Sequence, residues 1–288
     1  MNVLSLFDGM SCGQIALERA GVKFDNYYAS EIDKYAIQIC QKNYPNTIQL
    51  GDVKDIKADA LPKIDLLIGG SPCQGFSFAG KLLNFEDPRS KLFFEFVRLK
   101  NELNPKYFLL ENVKMKKEYQ DVISEYLGVE PIKINSALVS GQNRVRLYWT
   151  NIPNIKQPQD KNILLEDILE NGIVDRNKSY CIDANYAKGA TLEQYLIKSR
   201  RQVVFTNCTR DRLNLIRNVF IENYKSNNIK DVLSTEYDFR KLTPIECERL
   251  QTVPDNYTKD VSNNQRYKML GNGWTVDIIT DIFKNINF

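Results

Sequence analysis

The first 150 residues alternate between short apolar runs and amphipathic runs of helical length, and this alternation constrains the fold more than any other feature. Val3–Phe7 is apolar and stops at Asp8-Gly9, and Tyr27–Ser30, Thr47–Leu50, Ile64–Ile68, Tyr107–Leu110 and Val145–Thr150 repeat the pattern. Between them, Gln14–Ala20 reads as a helix with Gly21 placed to end it. Ile32, Tyr35, Ala36, Ile39 and Cys40 follow helical spacing, and Ser90–Leu103 is a further helix. Short buried strands joined by helices close as a parallel sheet covered on both faces. The expected fold is therefore α/β, a doubly wound, mostly parallel sheet. The pattern fades over residues 152–238, where Asn, Lys and Gly interrupt it. It returns at Thr243-Pro244-Ile245-Glu246, a capping box with Pro at the first helical position. A last amphipathic helix spans Trp274–Ile286. Residues 1–151 plus 239–288 are thus expected to form one domain, with 152–238 as a smaller inserted lobe.

Composition narrows the chemistry. Of 288 residues, 43% are hydrophobic and 26% charged, and no apolar run approaches a membrane span. The N-terminus has no basic segment and reaches Asp8 early, unlike a signal peptide, so a soluble, cytoplasmic, non-membrane protein is expected. The chain has no histidine, which excludes Ser-His-Asp triads, Cys-His dyads and His-ligated metals. None of the six cysteines is paired as C-x-x-C, and no metal site is expected. The net charge of +3 hides an asymmetry: Arg176–Arg217 holds nine Lys/Arg against three acids, interleaved with Tyr180, Tyr186, Tyr195 and Phe205. Such a lobe suits a polyanion.

Four segments carry chemistry. Phe7-Asp8-Gly9-Met10-Ser11-Cys12-Gly13 follows the first strand, where glycines let a ligand approach the backbone. Glu31, 22 residues beyond Gly9, is spaced to take ribose hydroxyls, and Asp52 ends the third strand, where it could accept from an adenine amino group. Cys73 sits in a Gly/Ser-rich loop after a buried strand, which favours a reactive over a structural cysteine. Glu111 directly follows a buried strand, and Arg144 and Arg146 would share one face of another.

In this order the segments resemble the C5-cytosine DNA methyltransferase family. Phe7–Gly13 resembles its cofactor loop, Pro72-Cys73-Gln74 its nucleophile motif, Glu111-Asn112-Val113 its Glu-Asn-Val motif and Gln142-x-Arg144-x-Arg146 its Gln-x-Arg-x-Arg motif. Arg240-Lys241-Leu242-Thr243-Pro244 with Glu248-Arg249 is similar to the helix that scaffolds the recognition lobe, and Gly271-Asn272-Gly273 to the segment that completes the cofactor site. The Met10-Ser11-Cys12 and Gly273-Trp274 departures, with Leu92–Phe96, are similar to animal de novo methyltransferases and related phage enzymes.

The resemblance implies S-adenosylmethionine as cofactor, held by Phe7, Asp8, Gly9, Met10, Ser11, Cys12, Glu31, Ile32, Asp52, Val53, Pro72, Leu92, Asn272, Gly273 and Trp274. It implies a cytosine flipped out of double-stranded DNA and attacked at C6 by Cys73. Glu111 would bind N3 and the N4 amino group, Arg146 the base O2, and Arg144 would order the loop and a phosphate. Gln74, Ser77, Arg89, Arg200 and Arg201 would contact DNA from the loop and lobe of a monomer. In an extended segment, Arg200 and Arg201 would point oppositely, so at most one would read a base edge. The alternatives are an RNA (tRNA) cytosine methyltransferase and a non-catalytic DNA-binding protein on the same fold.

Overall fold

The computed structural model describes residues 1–71, 91–196, 198–214, 218 and 238–287. They divide into two compact units, Met1–Asn135 with Val145–Pro158 and Trp274–Phe288, and Ser136–Arg144 with Gln159–Gly273.

The first unit is built on a seven-stranded sheet. Its strands are β1 (Asn2–Leu6), β2 (Asn26–Ser30), β3 (Ile48–Gln49), β4 (Leu66–Gly69), β5 (Tyr107–Val113), β6 (Ile132–Asn135) and β7 (Val145–Thr150). They lie in the order β3-β2-β1-β4-β5-β7-β6, with β7 antiparallel to both neighbours. The chain runs outward from β1 to β3 and then returns to β4 on the other side of β1. The strand order therefore reverses between β1 and β4, and the carboxyl ends of these two strands form the crevice where ligands bind in such sheets.

Helices cover both faces. Leu4, Leu6, Leu67, Leu110 and Trp149 pack with Phe93 and Phe96 of α3 (Lys91–Leu103) and Ile123 of α4 (Lys117–Leu127). On the opposite face α1 (Cys12–Ala20) meets the sheet so closely that a Cβ on Gly13 would lie 2.5 Å from the Tyr27 hydroxyl and 2.6 Å from Ile68 Cδ1. Gly21 ends α1 at φ 72°, as its position predicts. The next helix, α2 (Lys34–Asn43), starts later than the apolar spacing suggests. Asp33 caps it by accepting from Tyr35 N, which leaves Ile32 outside, 73% exposed.

The second unit contains α5 (Leu192–Leu196), the β8 (Val203–Phe205) and β9 (Phe239–Lys241) pair, α6 (Pro244–Leu250) and α7 (Asn263–Asn272). The capping box at Thr243 and Glu246 forms, and Arg240 pairs with the buried Glu246 at 2.7 Å. Arg266 of α7 pairs with buried Glu248 of α6 at 3.0 Å. Residues 239–273 fall in the second unit, tied to it by the β8–β9 pairing and by Leu242 N donating to the Tyr186 hydroxyl, whereas the sequence pattern groups 239–288 with the sheet. The last helix, α8 (Val276–Phe283), does pack in the first unit, where Arg19 of α1 binds its Asp277 at 2.7 Å. No helix of the described residues is long and apolar enough to cross a membrane.

Candidate active site

The loop Phe7–Ser11 leaves β1 at the reversal point. Phe7, Gly9 and Ser11 all have positive φ, at 57°, 61° and 68°. Left-handed backbone at two non-glycine residues costs on the order of 1–3 kcal/mol each and recurs at ligand clamps. The loop is tied down from below: Asp8 N donates to Ser30 O, and Gln14 Nε2 donates to Ser11 Oγ and Thr47 Oγ1. Above it the space is open, since a Cβ on Gly9 would meet no atom within 4 Å. Glu31 follows β2 and accepts from Gly9 N at 2.8 Å through one oxygen and from Ile32 N and Asp33 N through the other. Asp52 accepts from Lys54 N, Val53 is buried, and Leu92 is half-buried on α3. Met10 and Cys12 are buried within the loop's inner side.

Asp8 is unusual. Its carboxyl is buried and accepts from the Tyr27 hydroxyl at 2.8 Å. Burial raises its pKa from 3.8 to about 6, opposed by the Ser5, Tyr27 and Ser11 hydroxyls and reinforced by Glu31. The folded value lies above the unfolded one, so the folded state holds the proton more tightly. Stability from this group is full below about pH 4 and is lost as pH rises through about 6, roughly 3 kcal/mol in all. Asp8→Asn should flatten the stability curve across that window and leave the protein more stable than wild type at pH 7. Urea midpoints measured against pH test this; a variant with the wild-type slope would contradict it.

At the same sheet edge lies a second cluster. Glu111 is in the last turn of the pleat of β5, and β7 runs antiparallel beside it with Glu111 opposite Tyr148. Arg146 is therefore the diagonal neighbour on the same face. Its Nε meets Glu111 Oε1 at 2.9 Å. The indole Nε1 of Trp274 donates to Glu111 Oε2 at 3.1 Å. Asn112 donates through Nδ2 to Ser71 O and Oγ at 3.3 and 3.2 Å, fixing the backbone two residues before Cys73. A Cβ on Gly70 would fall 2.9 Å from Trp274 Nε1 and 3.2 Å from Glu111 Oε2. Asn112 and Gly70 received no role from the sequence. The Glu-Asn-Val motif and the glycines closing β4 were their only signal.

Pro72, Cys73, Gln74, Ser77 and Arg89 lie outside the described residues. The expectation that Arg144 and Arg146 share a strand face does not hold. Arg144 precedes β7 and belongs to the second unit, where it is 3% exposed. Its terminal nitrogens donate to Cys181 Sγ, Ile182 O, Gly271 O and Gly273 O at 2.8–3.2 Å. Arg144 thus holds the backbone at Gly271 and Gly273. Asn272 and Gly273 lie in the second unit, Trp274 in the first.

The basic stretch is also less open than its composition suggests. Tyr186, Tyr195 and Phe205 are buried. Arg176 pairs with Asp175 and stacks over Tyr180 and Tyr195, with its guanidinium 4.0 and 5.0 Å from the ring centres. Lys178 donates to the carbonyls of Ala137, Ser140 and Ile163. Ser199 and Arg201 have φ of 50° and 51°, so this segment turns and is not extended. Arg201 donates to Gly189 O at 2.7 Å, while Arg200 is exposed.

A family model described as C-5 cytosine-specific DNA methylase matches residues 1–127 and 132–287. The Type II methyltransferase M.FnuDI of Fusobacterium nucleatum is 32% identical over 326 residues, spanning 99% of this chain and 94% of its own. The Type II methyltransferase M.HpaII of Haemophilus parainfluenzae is 30% identical over 321 residues, spanning 98% and 88%. Among solved structures, a DNMT2 variant of Spodoptera frugiperda aligns with TM-score 0.74 at 20% identity, covering 99% of this chain and 98% of its own. A DNA modification methyltransferase encoded within a prophage of E. coli, described as putative, aligns at 0.65 and 24%, with the same coverage. At these identities the two structures show a shared fold.

Proposed function

The chain belongs to the C-5 cytosine-specific DNA methylase family and is a DNA cytosine-5 methyltransferase; we propose that S-adenosylmethionine is its methyl donor and Cys73 its nucleophile. The observation that carries this reading is the pairing of Glu111 with Arg146 at the carboxyl edge of the sheet, beside the segment leading to Cys73.

The cofactor loop fits a nucleoside. The strained turn at Phe7–Ser11 is open above Gly9, the Glu31 carboxylate stands at the end of β2, and Ile32 presents an exposed apolar surface next to it. We assign Phe7–Cys12, Glu31, Ile32, Asp52, Val53, Leu92 and Trp274 to holding S-adenosylmethionine. When bound, it supplies an electrophilic methyl group.

The protein's own part is to make C5 of cytosine nucleophilic. A target cytosine must leave the duplex, at a cost of a few kcal/mol. Addition of the Cys73 thiolate to C6 converts the C5–C4 region into an enamine. Glu111 takes the N4 amino group and shares a proton with N3, which drains the negative charge that arrives with sulfur. Arg146 holds O2. Once C5 carries the methyl group, loss of its proton to water expels the thiolate. Incubation with labelled cofactor, duplex DNA and total tRNA side by side tests the substrate. The label is expected in DNA as 5-methylcytosine; label confined to tRNA would support the RNA reading.

For DNA contact, the geometry around Gly189 favours Arg200 over Arg201. Arg200→Ala should weaken binding to all sequences and reduce the salt slope by about one. Arg201→Ala should act on the stability of the second unit instead, because its guanidinium is held by a carbonyl. Affinity measured at several salt concentrations distinguishes the two. Identical slopes for wild type and Arg200→Ala would contradict this assignment.

A further inference from the structure

We propose that Trp274 is a positioning residue for Glu111, its indole N–H fixing the carboxylate that receives the cytosine edge. This rests on the reading of Glu111 as the cytosine-binding group. Among the described residues, two donors on Glu111 sit on different oxygens, Arg146 Nε on Oε1 at 2.9 Å and Trp274 Nε1 on Oε2 at 3.1 Å. A carboxylate held through one oxygen can pivot about that contact, whereas one held through both has its plane fixed. It offers about four lone-pair sites, which leaves room for the N4 amino hydrogen and for the proton shared with N3.

The surroundings favour this contact. Gly70 leaves space where any side chain would press on both the indole nitrogen and Oε2. The Cys12 thiol lies 3.9 Å from Trp274 O, anchoring the residue's backbone to the cofactor loop. A tryptophan that only walled a cofactor pocket would use its ring, and its N–H would be dispensable. Here the N–H has a specific acceptor, and that acceptor is the carboxylate.

The chain has two tryptophans, which makes the contact observable directly. Trp149 donates its indole N–H to Ser124 Oγ in the core. In protein labelled with nitrogen-15 at tryptophan, Glu111→Ala should move the Trp274 indole signal and leave that of Trp149 in place. In kinetics, Trp274→Phe should lower kcat by roughly tenfold, the rate equivalent of one hydrogen bond to a charged group. KM for the cofactor should stay within about twofold, since an aromatic ring is kept. Gly70→Ala keeps the indole but crowds the contact, and should move the same signal and lower kcat as well. An indole spectrum unchanged by Glu111→Ala would overturn the proposal. So would Trp274→Phe raising KM for the cofactor with kcat unchanged. If Glu111→Ala moved the signal but retained full methylation, the contact would stand and the catalytic reading of Glu111 would fall.

Discussion

Replacing Cys73 with serine is expected to reduce methyl transfer by at least about a thousandfold, with cofactor affinity within about twofold of wild type. The attacking species must be a thiolate, and a serine hydroxyl is far less acidic. With no histidine in the chain, no imidazole can activate a hydroxyl in its place. Three of the other five thiols are buried and poorly suited to substitute. Burial pushes Cys40 up to about 11 and Cys247 well above the ordinary thiol value. Cys12 is buried at the start of α1. Steady-state kinetics with titration of the cofactor tests both parts, and a Cys73→Ser variant with wild-type turnover would remove the nucleophile assignment.

Glu111→Ala is expected to lower kcat by about 10²–10⁴-fold, the range for removing a positioned acid–base group. Binding of DNA and cofactor should change much less, because in the proposed mechanism the carboxyl engages the base only after it has left the duplex. Arg146→Ala should have a large effect too, through O2 and through loss of the 2.9 Å contact that orients Glu111. The two changes should therefore be strongly non-additive. The double variant should fall no more than roughly tenfold below Glu111→Ala alone. Independent losses that multiply in the double variant would show that the pair does not act as a unit.

Much of the sheet was legible because its strands are short, apolar and local. Val145–Thr150 is reproduced residue for residue, and Gly21 and the Thr243 capping box sit where their backbone roles require. What escaped is of two kinds, local and long-range. The α4 helix carries a helical apolar spacing at Tyr119, Ile123 and Leu127 that was open to reading. By contrast, α7 is largely polar and is held by tertiary contacts such as Arg266 with Glu248. Aromatics between basic residues looked like a nucleic-acid surface, but Tyr195 and Phe205 form a small core with Leu192, Val203 and Leu213. Alternation along a strand could not reveal that Arg144 stands outside β7 and turns toward Gly271 and Gly273.

The candidate site divides in the same way. Glu111 was recognisable as a carboxylate at a strand end. Its partner on Oε2, Trp274, is 163 residues away, and only the folded chain brings the two together. Arg146 reaches Oε1 because β7 runs against the sheet direction, a reversal that no local pattern encodes.

In the proposed mechanism, Cys73 bonds to C6 of a cytosine in DNA during turnover. This step is tested most directly with duplex DNA carrying 5-fluorocytosine at the target position, incubated with the protein and S-adenosylmethionine. Fluorine at C5 blocks the final elimination, so the adduct should persist through denaturation. Mass spectrometry of the digested complex should then place the modified nucleotide on the peptide containing Cys73. A protein that methylates ordinary DNA yet forms no denaturation-resistant complex, or is trapped through another residue, would contradict the account.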